Sequence, residues 1–355
     1  MKKVLVGMSG GVDSSVCALL LMEHYEVQGA TMKLFETETI LSDSKTCCSI
    51  TDVEDARRVC HRLGLEHHVF HSTDLFYEQV IARFRDAYTA GLTPNPCIDC
   101  NRYVKFPHLL RRAEQLGLDY IASGHYAQVK QDETTGRYAL LRSVDREKDQ
   151  SYVLYAMTQE ELSKTLLPLG DKSKTEIRQI ANAHGLVTAN KPDSQDICFV
   201  PDGNYVSFLK EKMGVQTQRG EILDEAGQVL GQHQGAIAYT IGQRRGLGVG
   251  GTKEPFYVIK KDMVQNTVTL GPQDALFTQS FSVAQANWIS FDRLEKPVEV
   301  SVMTRYRDKE VLGTIRPGEN GLVEVSLAQP KRAVTPGQAA VFYQGEAVVG
   351  GGVIV

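Results

Sequence analysis

The sequence predicts an α/β amino-terminal domain with a parallel sheet, followed by a small β-rich domain and a carboxy-terminal β-barrel. Three observations carry this. Residues 4–8 form a short apolar run that ends in a Gly/Ser loop, and residues 14–24 are apolar on most sides, as in a buried helix. A second apolar run at residues 27–34 then closes a strand–helix–strand unit, which favours a parallel sheet. Beyond about residue 216 the pattern changes to short β-branched runs punctuated by Gly and Pro, the pattern of hairpins. The expected domains are residues 1–215, 216–272 and 273–355, with the second boundary near Pro272.

Within the first domain, Thr51 with Glu54 reads as a capping box, an apolar stripe follows through Ala56, Val59, Cys60 and Leu63, and Gly64 is the stop. Residues 67–71 read as a strand, 75–88 and 103–116 as helices, and 120–123 as a strand end before Gly124-His125. Ser173 with Glu176 is a second capping box, opening a helix that stops at Gly185. In the later domains residues 256–259, 267–270, 298–303 and 339–343 are expected strands.

The chain has 355 residues, enough for two or three domains that each bury a core without disulfides or structural metal. Hydrophobic residues at 42% and charged residues at 23% match a soluble globular protein and exclude a disordered or fibrous chain. The amino-terminal apolar run is broken too soon for a signal peptide, and residues 16–22 are too few to span a bilayer, so a cytoplasmic protein without a membrane partner is expected. Seven cysteines without regular spacing argue for reduced thiols. A net charge of −4 excludes a globally basic nucleic-acid binder but not a local basic patch.

Gly7, Met8, Ser9, Gly10, Gly11, Val12, Asp13 and Ser14 form a glycine-rich turn between a buried strand and a helix start. In such a turn backbone N–H groups approach phosphate oxygens, and the helix N-terminus adds partial positive charge. Neither a G-x-x-x-x-G-K-[ST] run nor a G-x-G-x-x-G fingerprint is present. The S-G-G-x-D-S run instead resembles the pyrophosphate loop of the ATP pyrophosphatases, enzymes that adenylate a substrate and release pyrophosphate. The resemblance implies ATP and Mg2+ at this loop, with Asp13 on the metal and pyrophosphate. From position alone, Asp13 could equally be a helix cap.

Cys97 and Cys100 form a C-x-x-C pair in a proline-bounded loop, and Cys198 lies in a second loop, residues 193–199. Cys17 and Cys60 fall on apolar helix faces and read as core. A closed zinc site needs four ligands, and no second C-x-x-C or H-x-x-x-H completes one. The phosphate loop, Asn95-Pro96 with Cys100-Asn101, residues 123–127, residues 148–152, the Cys198 loop, Arg305-Tyr306-Arg307 and Pro336-Gly337-Gln338 together resemble the tRNA-specific 2-thiouridylases, in order along nearly the whole chain.

That resemblance implies ATP-dependent transfer of sulfur to C2 of the wobble uridine in the tRNA anticodon loop, on an adenine nucleotide hydrolase-like fold. Cys198 would accept a persulfide from a donor such as a cysteine desulfurase or sulfur-relay protein, and Cys100 would release the sulfur by forming a disulfide. Asn95, Pro96 and Cys97 would lie against the target base. Met32 and Gly124 would join residues 7–14 in holding ATP. Lys148, Asp149, Gln150, Arg305, Tyr306, His125 and Gln338 would contact tRNA. Many members of the family carry aspartate where this chain has Cys97. Cys97, Cys100 and Cys198 could therefore instead ligate a [4Fe-4S] cluster with one open iron, and the sequence leaves relay and cluster open.

The chemistry explains the parts. Uridine O2 is a poor leaving group until adenylated, and the adenylated base must meet sulfur where water is excluded. A wobble base is reached only when extruded from its stack, and phosphate contacts from residues such as Arg244, Arg245, Arg307, Lys331 and Arg332 would hold the RNA. Two rivals are an amidotransferase or ligase, which would need no paired thiols, and a non-catalytic RNA-binding module with a vestigial loop.

Overall fold

The computed structural model describes residues 1–35, 50–193, 197–200, 202–249 and 255–355; Cys47 and Cys48 lie outside them. The first domain is a five-stranded parallel sheet of β1 (Lys3–Gly7), β2 (Glu26–Lys33), β3 (His67–His71), β4 (Tyr120–Ser123) and β7 (Thr165–Leu166), in the order β3-β2-β1-β4-β7. β1 is central because Val4, Leu5 and Val6 have no polar side chain to present on either face, and all three are fully buried. The chain leaves β1 toward β2 and β3 on one side and later returns to β4 on the other. Such a switch point leaves a crevice at the carboxyl ends of β1 and β4, where α/β proteins bind ligands.

Helices cover both faces. Val12–Leu21 (α1) packs on the sheet through Val12, Val16, Cys17 and Ala18. The helix Ile50–Leu63 already includes Thr51, so Thr51 is not its cap, whereas Gly64 does terminate it, with a φ of +70° that a side chain would resist. The Ser173–Glu176 capping box is present and opens Lys174–Ala183. The C-x-x-C pair, expected in a loop, is helical: Asn95 caps Pro96–Asp99 by accepting from the Cys97 N–H at 3.1 Å, with Pro96 at the first position, and Cys100–Lys105 continues the turn.

The middle domain is a four-stranded sheet of β8 (Gly220–Leu223), β9 (Val229–His233), β10 (Tyr257–Asp262) and β11 (Thr267–Gly271), in the order β10-β11-β8-β9. Ile222, Val258, Val268 and Leu270 fill its core. The last domain closes six strands into a barrel: β12 (Phe277–Trp288), β13 (Val298–Met303), β14 (Val311–Pro317), β15 (Val323–Arg332), β16 (Ala339–Gln344) and β17 (Ala347–Ile354), with β12 pairing both β15 and β17. Closure leaves no free edge within the ring.

The hairpin β5 (Ala127–Gln131) and β6 (Tyr138–Arg142), unmarked in the sequence pattern, leaves the first domain and joins the barrel sheet through Leu141 opposite Ala347. A single apolar core therefore runs from Leu5 and Ile121 through Tyr152 and Tyr155 to Val341 and Tyr343 of the barrel. The Tyr152 hydroxyl donates to the Ala339 carbonyl at 2.9 Å, and Asn287 Nδ2 donates to the carbonyls of Tyr155 and Met157 at 2.8 and 3.0 Å.

Lys261 on β10 has a buried Nζ without a hydrogen-bond partner, and burial lowers its pKa to about 8. The unfolded lysine titrates near 10.5, so between these values the unfolded chain binds more protons and stability rises with pH. Lys261→Met should stabilise the protein at pH 7 by on the order of 3 kcal/mol and abolish that rise. Urea melts of both proteins between pH 7 and 10.5 check this; parallel slopes would contradict it.

Candidate functional site

The loop after β1 lies in the crevice. Ser9 N–H donates to Ser14 Oγ at 3.1 Å, and Ser14 Oγ donates to the Gly11 carbonyl at 3.1 Å, so the two serines brace the turn from within. Gly10 has φ +72°, and a Cβ there would strike the Asp52 carbonyl. At Gly11 a Cβ would meet only Ser9 Oγ, at 3.4 Å, so this glycine keeps space on the open side. Gly124, directly after β4, approaches Asp13 so closely that a Cβ would come within 2.7 Å of its carbonyl carbon. Gly7 ends β1, Met8 and Val12 are buried beneath the loop, and Met32 is near the end of β2. Residues 7–14, Met32 and Gly124 thus gather at the carboxyl ends of neighbouring strands.

Asp13 does not cap its helix. Lys174 Nζ donates to both of its carboxylate oxygens at 2.8 Å, and the Tyr126 hydroxyl donates to Oδ1 at 2.7 Å. Burial, and then the Asp13 charge, keep that phenol protonated by raising its pKa. The same Lys174 Nζ lies 2.8 Å from Asp193, which also pairs with Lys148 at 2.8 Å and Arg178 at 3.0 Å. Burial alone would raise the Asp193 carboxyl, but Lys148 and Lys174 more than offset it and bring its pKa to about 2. A second lysine, Lys191, donates to the Gly10 carbonyl at 2.9 Å and to Asp52 and Asp55 at 2.6 and 2.7 Å. Sequence reading passed over Lys174, Asp193 and Lys191; the capping box beside Lys174 signalled only a helix start.

Cys97 is exposed, Cys100 is 8% exposed and Cys198 is half-buried; none of the five cysteines among the described residues is in a disulfide. Cys17 and Cys60 are core, and burial raises the Cys60 thiol to about 11. Cys100 and Cys198 belong to one apolar cluster with Phe84, Phe199 and Phe208, and Met32 of β2 packs against the same cluster. Among the described residues no three His, Cys, Asp or Glu side chains converge as metal ligands. Among the described residues, Cys97, Cys100 and Cys198 therefore do not form the ligand set of an iron–sulfur cluster as they stand. Asp99, between the two cysteines of the pair, has its pKa raised by burial, with Arg83 and Arg102 opposing. It is the carboxylate nearest in sequence to where this chain has Cys97.

Three family models cover the chain in succession: a tRNA methyl transferase HUP domain over residues 2–202, a tRNA methyl transferase PRC-barrel domain over 206–272, and an aminomethyltransferase β-barrel domain over 278–354. The tRNA-specific 2-thiouridylase MnmA of Acetivibrio thermocellus is 47% identical, over 99% of both chains. Those of Desulforamulus reducens and Carboxydothermus hydrogenoformans are 48% identical over 99% of this chain and 97% of theirs. The chain belongs to the tRNA-specific 2-thiouridylase family.

In this 2-thiouridylase a cavity of about 500 Å³ opens between the first domain and the barrel, lined by Arg142, Arg146, Lys148, Asp149, Tyr306 and Arg307, with Tyr152 at its wall. Tyr306 lies within electrostatic reach of Cys97, so the cavity borders the C-x-x-C turn. Arg142 and Arg146 were not anticipated. Arg142 stacks over Tyr343 at 3.7 Å and pairs with Glu310 at 2.7 Å.

Other residues expected at the RNA have internal partners. Arg305 donates to the Ala333 carbonyl at 2.7 Å and to Thr335 Oγ1 at 2.8 Å, and Gln338 Nε2 donates to the Thr93 carbonyl at 2.9 Å, which ties the barrel to the C-x-x-C segment. Gln150 Oε1 accepts from the Tyr126 N–H at 3.0 Å, and Asp149 accepts from Ser143 N–H and the Ser151 hydroxyl at 2.9 and 2.8 Å. His125 Nδ1 is 2.7 Å from Ser123 Oγ, and burial, helped by Lys105, keeps the ring neutral.

Gly10→Ala should destabilise the fold by about 1–2 kcal/mol or more, because it forces a left-handed residue against Asp52. Gly11→Ala, at φ −98°, should melt like the parent and lose ATP binding instead. Differential scanning calorimetry paired with ATP titration separates the two; equal melting shifts would contradict the assignment.

Proposed function

We propose that this chain adenylates the wobble uridine of tRNA with ATP and replaces its O2 by sulfur carried on Cys198. That it is a tRNA 2-thiouridylase rests on its family. Family membership also disposes of the ligase and vestigial-module alternatives. The observation that supports the residue assignment is that adjacent residues at the end of β2 reach both parts, Thr31 Oγ1 donating to the Met8 carbonyl of the phosphate loop at 2.9 Å and Met32 packing against the Cys100–Cys198 cluster, so both half-reactions can be served from one crevice.

The loop amides and the α1 N-terminus would hold the polyphosphate. Asp13 is a hard carboxylate donor at the mouth of the loop, 31% exposed, and so fits Mg2+ bound jointly by one carboxylate and substrate phosphates. When bound, the ion neutralises charge on the phosphates as pyrophosphate leaves. Uridine O2 attacks the α-phosphorus, which makes O2 part of an adenylate. The terminal sulfur of a Cys198 persulfide then attacks C2 and AMP leaves. The Cys100 thiolate next attacks the Cys198 sulfur, the sulfur–sulfur bond to the base breaks, and the thiocarbonyl is left on C2. A Cys100–Cys198 disulfide remains, which an external dithiol must reduce. The sulfur would come from a persulfide-bearing protein of the cysteine desulfurase or relay type.

The exposed Cys97 and the half-buried Asn95 would face the base, with Pro96 buried behind them at the start of the turn. Lys148, Arg146, Arg307 and Tyr306 would hold the RNA in the adjoining cavity, with Gln150, His125, Gln338 and Arg305 supporting its walls. No helix among the described residues is long and apolar enough to cross a membrane.

Asp13→Ala should abolish tRNA-dependent pyrophosphate release. Cys100→Ser and Cys198→Ser should each stop thiolation while pyrophosphate release persists. Cys97→Ser should slow thiolation only modestly and leave persulfide on Cys198 visible by mass spectrometry. Loss of both in Cys97→Ser, together with iron in the parent protein, would overturn the relay in favour of a cluster.

Affinity for tRNA should fall steeply with salt. An Arg146→Glu, Arg307→Glu pair should weaken binding across all substrate tRNAs and reduce the salt slope by about two. Filter binding across a salt series checks this, and a salt-independent affinity would contradict it.

A further inference from the structure

Lys174 is 9% exposed, and its ammonium is held by two carboxylates at once: both oxygens of Asp13 at 2.8 Å and Asp193 at 2.8 Å. The Tyr126 ring flanks it, with Nζ 5.7 Å from the centroid, and its backbone N–H is fixed to Asp145 at 2.9 Å. A salt bridge this enclosed is not needed for the helix, which already has a complete capping box at Ser173 and Glu176. Nor is it needed to tether the 188–193 segment, which Thr188 ties to Ser15 at 2.9 Å and Lys191 ties to Gly10, Asp52 and Asp55.

We propose that Lys174 is a phosphate-binding residue of the nucleotide site, parked on Asp13 and kept within reach by Asp193 until nucleotide arrives. This rests on the reading above that ATP and Mg2+ occupy the loop. A divalent ion on Asp13 needs the same lone pairs that the ammonium now occupies, so the two compete and the ion must displace Lys174 from at least one oxygen. The displaced ammonium cannot leave for solvent cheaply. Asp193 still holds it, and its position beside the loop puts phosphate oxygens among its nearest remaining acceptors. Buried charged groups keep a partner, and an ammonium binds phosphate as a point charge. Asp193 is itself secured by Lys148 and Arg178, so it can retain Lys174 without being pulled away.

Lys191 marks the contrast. It also has three oxygen partners, but these are a loop carbonyl and two carboxylates from the helix Ile50–Leu63, and nothing bound in the crevice would compete for them. It braces the loop. Lys174, whose main partner is the carboxylate that would take the metal, is the one that exchanges.

The test is calorimetric titration of inorganic pyrophosphate, and separately of MgATP, into the full-length parent, Lys174→Gln and the double variant Lys174→Gln, Asp193→Asn. The double variant removes a carboxylate together with its cation, so a folding defect in the single variant does not end the test. Melting and tRNA affinity are recorded for each. Loss of a charge-assisted contact predicts Kd values for pyrophosphate and MgATP raised about tenfold or more in both variants, with tRNA affinity kept in Lys174→Gln. Kd values within twofold of the parent in a folded variant would overturn the proposal. Tighter binding would overturn it too, since Lys174 would then be only a plug on Asp13. If the parent itself binds neither probe, it is the nucleotide reading that fails.

Discussion

The site depends on β1 being buried on both faces between strands that the chain reaches in opposite directions. That burial carries the loop after β1, whose Met8 N–H still donates to the Ala30 carbonyl of β2 at 2.7 Å, into the crevice, and it brings Gly124, at the end of β4, against the backbone of Asp13 and Ser14. Because the approach is backbone to backbone, the position after β4 tolerates no side chain. The serines of the loop then satisfy one another and the Gly11 carbonyl, so the turn is formed before any ligand enters.

Around this turn the charges are arranged in two separate relays. Lys191 fastens the Gly10 carbonyl to Asp52 and Asp55, and Lys174 joins Asp13 to Asp193 and through it to Lys148 and Arg178. Both relays are anchored at Lys191 and Asp193 in the segment that precedes Cys198, so the loop after β1 is tied to that segment through Lys174 and Lys191. Lys148 also lines the cavity at the barrel, which extends the connection to that domain.

The barrel side of the cavity is lined by Met303, Tyr306, Arg307 and Asp308. The barrel's aromatic residues continue the first domain's core through Tyr152, Tyr155 and Tyr343, and the Gln338 contact to Thr93 sets the height of the barrel against the C-x-x-C turn. A Cβ on Gly351 would come within 2.8 Å of the Tyr155 ring, so β17 stays flat against it. Arg305, expected at the RNA, spends its donors on the Ala333 carbonyl and Thr335. Its neighbours Tyr306 and Arg307 line the cavity instead.

By itself the sequence determined what is local or periodic. The buried run before a glycine-rich turn, the Ser173–Glu176 cap, the Gly64 stop, the apolar faces holding Cys17 and Cys60 and the late hairpin pattern are all set by neighbours within a few residues. The C-x-x-C turn could have been read as helical too, since Asn95 before Pro96 is a cap followed by a first-turn proline. Only the tertiary structure decided that Asp13 serves Lys174 and Tyr126 rather than its own helix. It alone decided that the hairpin at 127–142 belongs to the barrel, and that Cys100 and Cys198 share an apolar cluster. Each of these is a contact between residues tens to hundreds of positions apart. Which partner a carboxylate, a strand edge or a thiol takes there is settled by which surfaces the whole core brings together, and local spacing carries no record of that.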